Sequence, residues 1–116
     1  MAFAAERQVV RRTERMTGPR RFPEIPLVPT PASREARAVV GFKWAGEKVG
    51  RRHKLVGVPD WVQPPEVPEC PLCKQTMTFY GQLDSVGDEM KIADVGMVYV
   101  FLCFDCYETK SVLQSG

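Results

Sequence analysis

Four cysteines in two closely spaced pairs are the residues of this sequence best suited to chemistry. Cys70 and Cys73 form the motif CPLC, and Cys103 and Cys106 form CFDC. Two intervening residues let both sulfurs of a pair turn toward one point, about 4 Å apart, which matches an edge of a tetrahedron around Zn²⁺. The two pairs supply four thiolates, so the pattern predicts a closed structural zinc site with no open position for a reacting water.

Other chemistries use the same residue types. Disulfides need an oxidising compartment, and the sequence shows no apolar region typical of an export signal, so we expect a cytoplasmic protein. An iron–sulfur or rubredoxin-type iron centre takes the same four ligands. Thiol redox chemistry is a further alternative, although a single CxxC suffices for it. Zinc is the favoured interpretation, and the other two stay open.

Predicted β-strands position the two cysteine pairs. Thr76 to Leu83 alternates in the manner of a half-buried strand, Met97 to Cys103 is a continuous apolar run typical of a central strand, and Glu108 to Leu113 predicts a third. Antiparallel pairing of the first two strands would bring the cysteine pairs together, as in a zinc ribbon. The gap between the pairs, residues 74–102, is longer than usual, and the polar loop from Asp84 to Gly96 absorbs the difference.

The alternation of the first strand predicts which side chains share a face. One face is predicted to hold the apolar side chains of Met77, Phe79 and Leu83. The other face is predicted to hold the polar side chains of Thr76, Thr78 and Gln82.

The part of the chain before these strands has fewer structural signals. Two clusters of prolines, residues 19–31 and 59–71, predict extended straps because each ring prevents helix continuation. Residues 5–16 predict a short helix, and Ala38 to Trp44 predicts a strand interrupted by Gly41. We therefore predict a flexible basic and Pro-rich arm over residues 1–37 and a mainly β, zinc-ribbon-containing domain over residues 38–116.

Charge divides the chain more sharply than its net value of +2 suggests. Residues 1–54 carry thirteen basic and five acidic side chains (+8), and residues 55–116 carry three and nine (−6). A basic segment with nearby aromatic residues predicts phosphate contacts with RNA or DNA. The alternative is that the basic half neutralises the acidic half of the same chain. The candidate phosphate-binding residues are Arg11, Arg12, Arg15, Arg20, Arg21, Lys48, Arg51, Arg52 and Lys54.

Length and composition exclude several classes of protein. A chain of 116 residues allows one small domain. Its longest uncharged stretch, residues 95–104, has only ten residues, and the uncharged stretch at residues 25–33 contains three prolines, so neither can span a bilayer. No nucleophile motif or phosphate-binding loop is present, so no catalytic residues are predicted. The only histidine, His53, is not needed for the metal.

The order of residues from Gly57 onward resembles the C-terminal portion of the YwqG-like family, which is distantly similar to the eukaryotic programmed-cell-death-2 proteins. The resemblance rests on a G-x-P-x-W-x-Q segment (residues 57–63), CPLC, an MxFxxQxD strand (residues 77–84) and a YVFxCxxC strand (residues 99–106). It implies a β-rich fold and, from the eukaryotic relatives, binding or escort of a protein partner. Bacterial members have no agreed activity.

Four further residues are candidates for partner binding. Trp61 and Gln63 lie between prolines, and Gln82 and Asp84 end the first predicted strand. The structural alternatives are that Trp61 packs the strap onto the sheet and that Gln82 and Asp84 make turn-forming hydrogen bonds. The sequence thus predicts a monomeric, non-enzymatic zinc protein that binds a protein partner or acts like a chaperone. Nucleic-acid binding and thiol redox activity are its alternatives.

Overall fold

A computed structural model describes residues 19–42, 49–90 and 92–116. These residues form a five-stranded antiparallel sheet with the strand order β1-β2-β3-β4-β5, which confirms the predicted mainly β class. The helix α1 spans Arg34–Val39, and a 3₁₀ turn spans Asp88–Met90. The strands are β1 (Ile25–Pro26), β2 (Lys54–Leu55), β3 (Thr78–Asp84), β4 (Met97–Leu102) and β5 (Thr109–Gln114).

The three strands predicted from the apolar patterns are confirmed as β3, β4 and β5, with ends within two residues of those predicted. Thr78 pairs with Leu102 at one end of the β3–β4 ladder, and Asp84 pairs with Met97 at the other. Strand β5 pairs along the opposite side of β4. The longest apolar run of the sequence is therefore an interior strand, as its composition indicated.

The predicted face pattern of β3 is wrong beyond Phe79. A β-bulge shifts the register between Phe79 and Gly81, and the extra residue turns the following side chains to the opposite face. Leu83 is consequently 52% exposed, whereas Gln82 and Asp84 are each 1% exposed. A strict two-residue period cannot reveal such an insertion.

The core lies on one face of the sheet and comes from the C-terminal half of the chain. Its buried members are Cys70, Met77, Phe79, Met97, Tyr99, Phe101 and Cys103. Alternate side chains of β4 point into it, and partly buried Trp61 and Val62 cover it from the proline strap. Two of the four cysteines are thus part of the core itself.

The N-terminal predictions need one correction. A strand was predicted over residues 38–44, but residues 38–39 instead end the helix α1, whose Ser33 cap accepts a hydrogen bond from the Ala36 N–H at 3.0 Å; residues 43–44 lie outside the described residues. Part of the predicted arm, Ile25–Pro26, pairs with β2. The division at residue 37 stays a prediction, and the predicted helix at residues 5–16 lies outside the described residues.

Gly87 fixes the contact between the β3–β4 loop and the end of α1. A Cβ atom at Gly87 would lie 1.9 Å from the carbonyl oxygen of Val39 and 2.9 Å from that of Gly41. Because both obstacles are backbone atoms, we expect Gly87→Ala to lower the free energy of unfolding by about 1–3 kcal/mol. Urea denaturation measures this loss, and Glu89→Ala, an exposed change in the same loop, should leave the midpoint unchanged.

Candidate metal centre

The four cysteine sulfurs converge on one point. Their Sγ atoms all lie within 4.8 Å of one another, and those of Cys73 and Cys103 are 3.7 Å apart. A tetrahedral Zn²⁺ with Zn–S bonds of about 2.3 Å places its sulfurs about 3.8 Å apart. The antiparallel pairing of β3 and β4 therefore produces the group of metal ligands that the spacing predicted, because each cysteine pair lies beside the same end of that ladder.

Both cysteine pairs are held by the same pattern of backbone hydrogen bonds. In the first knuckle, the N–H of Lys74 donates to the Cys70 carbonyl at 2.8 Å and the N–H of Cys70 donates to the Gln75 carbonyl at 2.8 Å. In the second, the N–H of Tyr107 donates to the Cys103 carbonyl at 2.7 Å and the N–H of Cys103 donates to the Glu108 carbonyl at 2.9 Å. Two identical turns thus present two sulfurs each.

The residue after each knuckle adopts a left-handed conformation. Lys74 has φ of 66° and Tyr107 has φ of 58°, a region in which a Cβ atom costs roughly 1–2 kcal/mol. The two knuckles therefore end in the same backbone conformation at equivalent positions.

The electrostatics of the cluster favour a bound cation. Backbone N–H groups of Cys73 and Leu72 lower the pKa of Cys70 to about 7, so a substantial fraction of this thiol is ionised at neutral pH. Burial, together with hydrogen bonds to the neighbouring sulfurs, raises the pKa of Cys106 to about 12. Four thiolates this close repel one another, and a divalent metal removes that penalty. The donor set, all sulfur and without an open position, fits Zn²⁺ or iron.

Trp61 and Gln63 attach the proline strap to the sheet. The Trp61 ring lies 4.7 Å from the Tyr99 ring and stacks at 6.0 Å on Phe101, which supports the packing alternative for this residue. The Gln63 N–H donates to Gln114 Oε1 at 2.8 Å, and Gln63 Nε2 donates to the Ser115 carbonyl at 2.5 Å. Their predicted role in partner binding stays a prediction.

Tyr99 and Gln114 hold the strap on the sheet by hydrogen bonds, and the sequence analysis predicted no role for either. The Tyr99 hydroxyl donates to the Asp60 carbonyl at 2.8 Å and accepts from the Val62 N–H at 3.0 Å. Gln114 Nε2 donates to the Pro64 carbonyl at 2.8 Å. The sequence did contain a signal for Tyr99: a tyrosine within an apolar strand has a buried hydroxyl, and a buried hydroxyl requires hydrogen-bond partners.

Tyr99→Phe tests the strap attachment. The variant keeps the ring but leaves the Asp60 carbonyl without its donor, so we expect the free energy of unfolding to fall by about 1–2 kcal/mol. Faster hydrogen exchange at the Val62 amide should accompany the loss. Tyr107→Phe is the matched control because Tyr107 is 69% exposed, and an equal effect of both changes would contradict the assignment.

Gln82 and Asp84 belong to a buried polar network behind the strap. Gln82 Nε2 donates to the Arg52 carbonyl at 2.6 Å and to Asp60 Oδ2 at 2.9 Å. Asp84 Oδ2 accepts from the N–H groups of Gly50 and Arg52 at 2.7 and 3.1 Å. At 1% exposure each, these side chains do not present a surface to a partner in this conformation.

Several candidate phosphate-binding residues are engaged within the chain. Arg52 pairs with Asp84 at 2.8 Å, and this hydrogen bond raises the pKa of Arg52. Lys54 is only 5% exposed. Its Nζ atom lies 2.8 Å from Glu24 Oε1 and 3.0 Å from Asp60 Oδ2. Burial opposes its charge, but the two carboxylates outweigh burial and raise its pKa.

The other basic candidates differ in position. Arg20 lies over the Phe104 ring at 5.2 Å, and Arg21 and Arg51 are exposed. The remaining four, Arg11, Arg12, Arg15 and Lys48, lie outside the described residues. At Arg52 and Lys54 the geometry favours neutralisation within the chain over contact with nucleic acid.

Comparisons with known proteins give one relative and no function. No family model matches the chain, and no solved structure matches it. A segment of 61 residues, 53% of this chain, is 41% identical to the uncharacterized protein YpfL of Salmonella typhimurium. The match spans 14% of that protein's length.

The part of the chain that the structure describes contains no helix with the length and apolar character needed for a membrane span.

Proposed function

We propose that this chain is a non-enzymatic zinc protein whose Cys₄ centre organises a surface for binding a protein partner. The observation that carries the proposal is the convergence of four sulfurs, from two matched knuckles, within 4.8 Å of one another. Four protein ligands close a tetrahedral site, and a closed site stabilises a fold instead of activating water. Bound to Cys70, Cys73, Cys103 and Cys106, Zn²⁺ would supply that structural cross-link.

The size of the apolar core supports a structural role for the metal. Only seven apolar residues of the described chain are buried, and two of them are cysteines. Small domains with so little core depend on metals or disulfides for stability. The resemblance to the YwqG-like family and the programmed-cell-death-2 proteins is consistent with partner binding, and we retain it as part of this proposal.

Metal analysis of the purified protein tests the zinc assignment. We expect one zinc per chain by inductively coupled plasma mass spectrometry, together with a colourless protein whose thiols react slowly with a thiol reagent until a chelator is added. Strong visible absorption with equimolar iron would replace zinc by an iron centre. Rapidly reacting thiols in a metal-free folded protein would reject the structural site in favour of the redox alternative.

A binding experiment separates the protein-interaction role from the nucleic-acid alternative. The metal-loaded protein should give no electrophoretic shift with a mixed RNA at 50 mM salt, because Arg52 and Lys54 are paired internally. A shift that weakens steeply with added salt would instead identify a nucleic-acid-binding protein. Arg21→Ala and Arg51→Ala, both at exposed positions, should weaken such a shift and lower its salt dependence if these residues contact phosphates.

A further inference from the structure

The outer edge of β5 carries backbone groups that the sheet does not use. In an antiparallel pair, hydrogen-bonded and non-hydrogen-bonded residue pairs alternate. The Cys103 N–H donates to the Glu108 carbonyl at 2.9 Å, so Lys110, Val112 and Gln114 direct their backbone groups toward β4. Thr109, Ser111 and Leu113 therefore direct theirs away from it. Their side chains are all exposed, and among the described residues no strand lies beyond β5.

The two edges of the described sheet differ in how well they are protected. Strand β1, at one edge, is two residues long and includes Pro26, and a short edge with proline discourages further pairing. Strand β5, at the other edge, has six residues, no proline and no register shift. A regular edge strand of this length, with no strand of the described residues beyond it, is the feature that binds an extended peptide by strand addition.

The charges around β5 indicate what kind of strand it would accept. The turn leading into β5 contains Asp105 and Glu108. At its other end, Gln114 Nε2 contacts Glu66 at 2.9 Å, and the Gly116 N–H donates to the Asp94 carbonyl at 3.0 Å. Lys110 is the only basic residue of the strand. Acidic residues thus lie at both ends of the edge, and a metal with four thiolates adds about −2 near the first.

The outer face of the sheet sets a preference for apolar side chains in the added strand. Leu83, Val98 and Leu113 lie in one row across β3, β4 and β5. Leu83 and Leu113 are 52% and 56% exposed. A strand added next to β5 would extend this row by one residue, and an apolar side chain there would cover Leu113.

We propose that the β5 edge binds an extended segment of a partner protein, with alternating β-branched residues and basic residues at its ends, as an additional antiparallel strand. The inference rests on the proposed interaction function and specifies its surface. Backbone hydrogen bonds from Thr109, Ser111 and Leu113 supply the affinity. The flanking charges and the Leu113 row select the segment.

A designed peptide tests the proposal on the full metal-loaded chain. The probe alternates threonine and valine over about eight residues, the length of a typical strand, and carries lysine at both ends. We expect a dissociation constant on the order of 100 µM and slower hydrogen exchange at the Thr109, Ser111 and Leu113 amides on adding the peptide. The Lys110 and Val112 amides, already paired with β4, should change little. Equal protection at all five amides, or none, would overturn the proposal.

Two variants of Ser111 provide the matched comparison. Ser111→Pro removes an outward N–H without removing a bond to β4, and we expect it to weaken peptide binding at least about tenfold. Ser111→Ala keeps the N–H and should bind within about twofold of the original chain. Replacing both peptide lysines by glutamates should weaken binding similarly to the proline change. Retained binding by Ser111→Pro would exclude strand addition at this edge.

Two other outcomes have distinct meanings. If light scattering shows a dimer that the peptide does not dissociate, and the three amides are already protected without peptide, a second copy occupies the edge and the proposed partner is wrong. Metal content is measured on the same samples. If the zinc-loaded chain does not bind the peptide, only the assignment of the β5 edge is refuted. If the folded chain contains no metal, the proposed zinc centre is refuted.

Discussion

Replacing one of the four clustered cysteines should produce the largest loss of stability available to a single substitution in this chain. We expect Cys73→Ser to abolish stoichiometric metal binding and to leave residues 70–116 largely unfolded at 25 °C. A structural zinc contributes on the order of 10 kcal/mol to folding, and small domains have a total stability of about 5–15 kcal/mol. Cys73 is the suitable ligand because it is only partly buried, so the change removes little core packing.

The measurement combines metal content with thermal unfolding followed by circular dichroism. Leu72→Ala is the control, since Leu72 lies in the same knuckle and is 66% exposed. It should retain one metal per chain and a nearly unchanged melting temperature. Adding a chelator to the original chain should reproduce the unfolding without any substitution. A Cys73→Ser protein that stays folded and binds equimolar metal would contradict the Cys₄ assignment.

Local patterns were sufficient to predict the cluster of four cysteines and the three strands around it. The CxxC spacing specifies where two sulfurs point, and the alternation at residues 76–83 and the apolar run at residues 97–103 specify the strands between the pairs. Two knuckles beside paired strands then meet by topology alone. The side-chain faces of β3 were not predictable, because the bulge at Tyr80 is a feature of two strands together and leaves no signature in one.

Contacts between distant parts of the chain determine the features that the sequence analysis did not predict. The run from Ala38 to Trp44 looks like a strand by composition, yet its first two residues complete a helix capped by Ser33 and packed near Gly87. The charge difference between the two halves left neutralisation within the chain as an alternative to nucleic-acid binding, without predicting individual pairs. Which pairs form, such as Arg52 with Asp84, depends on the bulge that turns Asp84 inward.

The buried pair of Arg52 and Asp84 should be the second most sensitive feature of the fold. Arg52 Nε and Nη2 each donate to a different Asp84 oxygen at 2.8 Å, and the Ser85 N–H donates to Asp84 Oδ1 at 2.7 Å. The Asp84 side chain has no exposed surface, and that of Arg52 is 25% exposed. The carboxylate thus joins the chain around residues 50–52 to the end of β3.

Asp84→Asn leaves the Arg52 guanidinium without its counter-charge, and removing one member of a buried pair costs about 3–5 kcal/mol. We expect a loss of this size in the urea-derived free energy of unfolding. The exposed Asp94 of the same loop supplies the control, since Asp94→Asn should change stability by less than about 0.5 kcal/mol. A double-mutant cycle with Arg52→Gln isolates the pair, and a coupling near zero would assign the effect to backbone contacts of Asp84 instead.

Acid should weaken the native chain more than it weakens the Asp84→Asn variant. Burial raises the pKa of Asp84, but the hydrogen bonds from Arg52 and the Gly50 N–H outweigh it, so the net pKa lies below the ordinary value. A depressed carboxyl pKa gives stability that is complete above the unfolded pKa of about 4 and is lost as the pH falls through the lower folded value. Acid would also release a metal bound by the cysteines, but the release would affect both proteins, so their difference isolates Asp84. Urea midpoints of the two proteins should converge below about pH 4, and a constant separation down to the lowest pH measured would show that the Asp84 charge does not stabilise the fold.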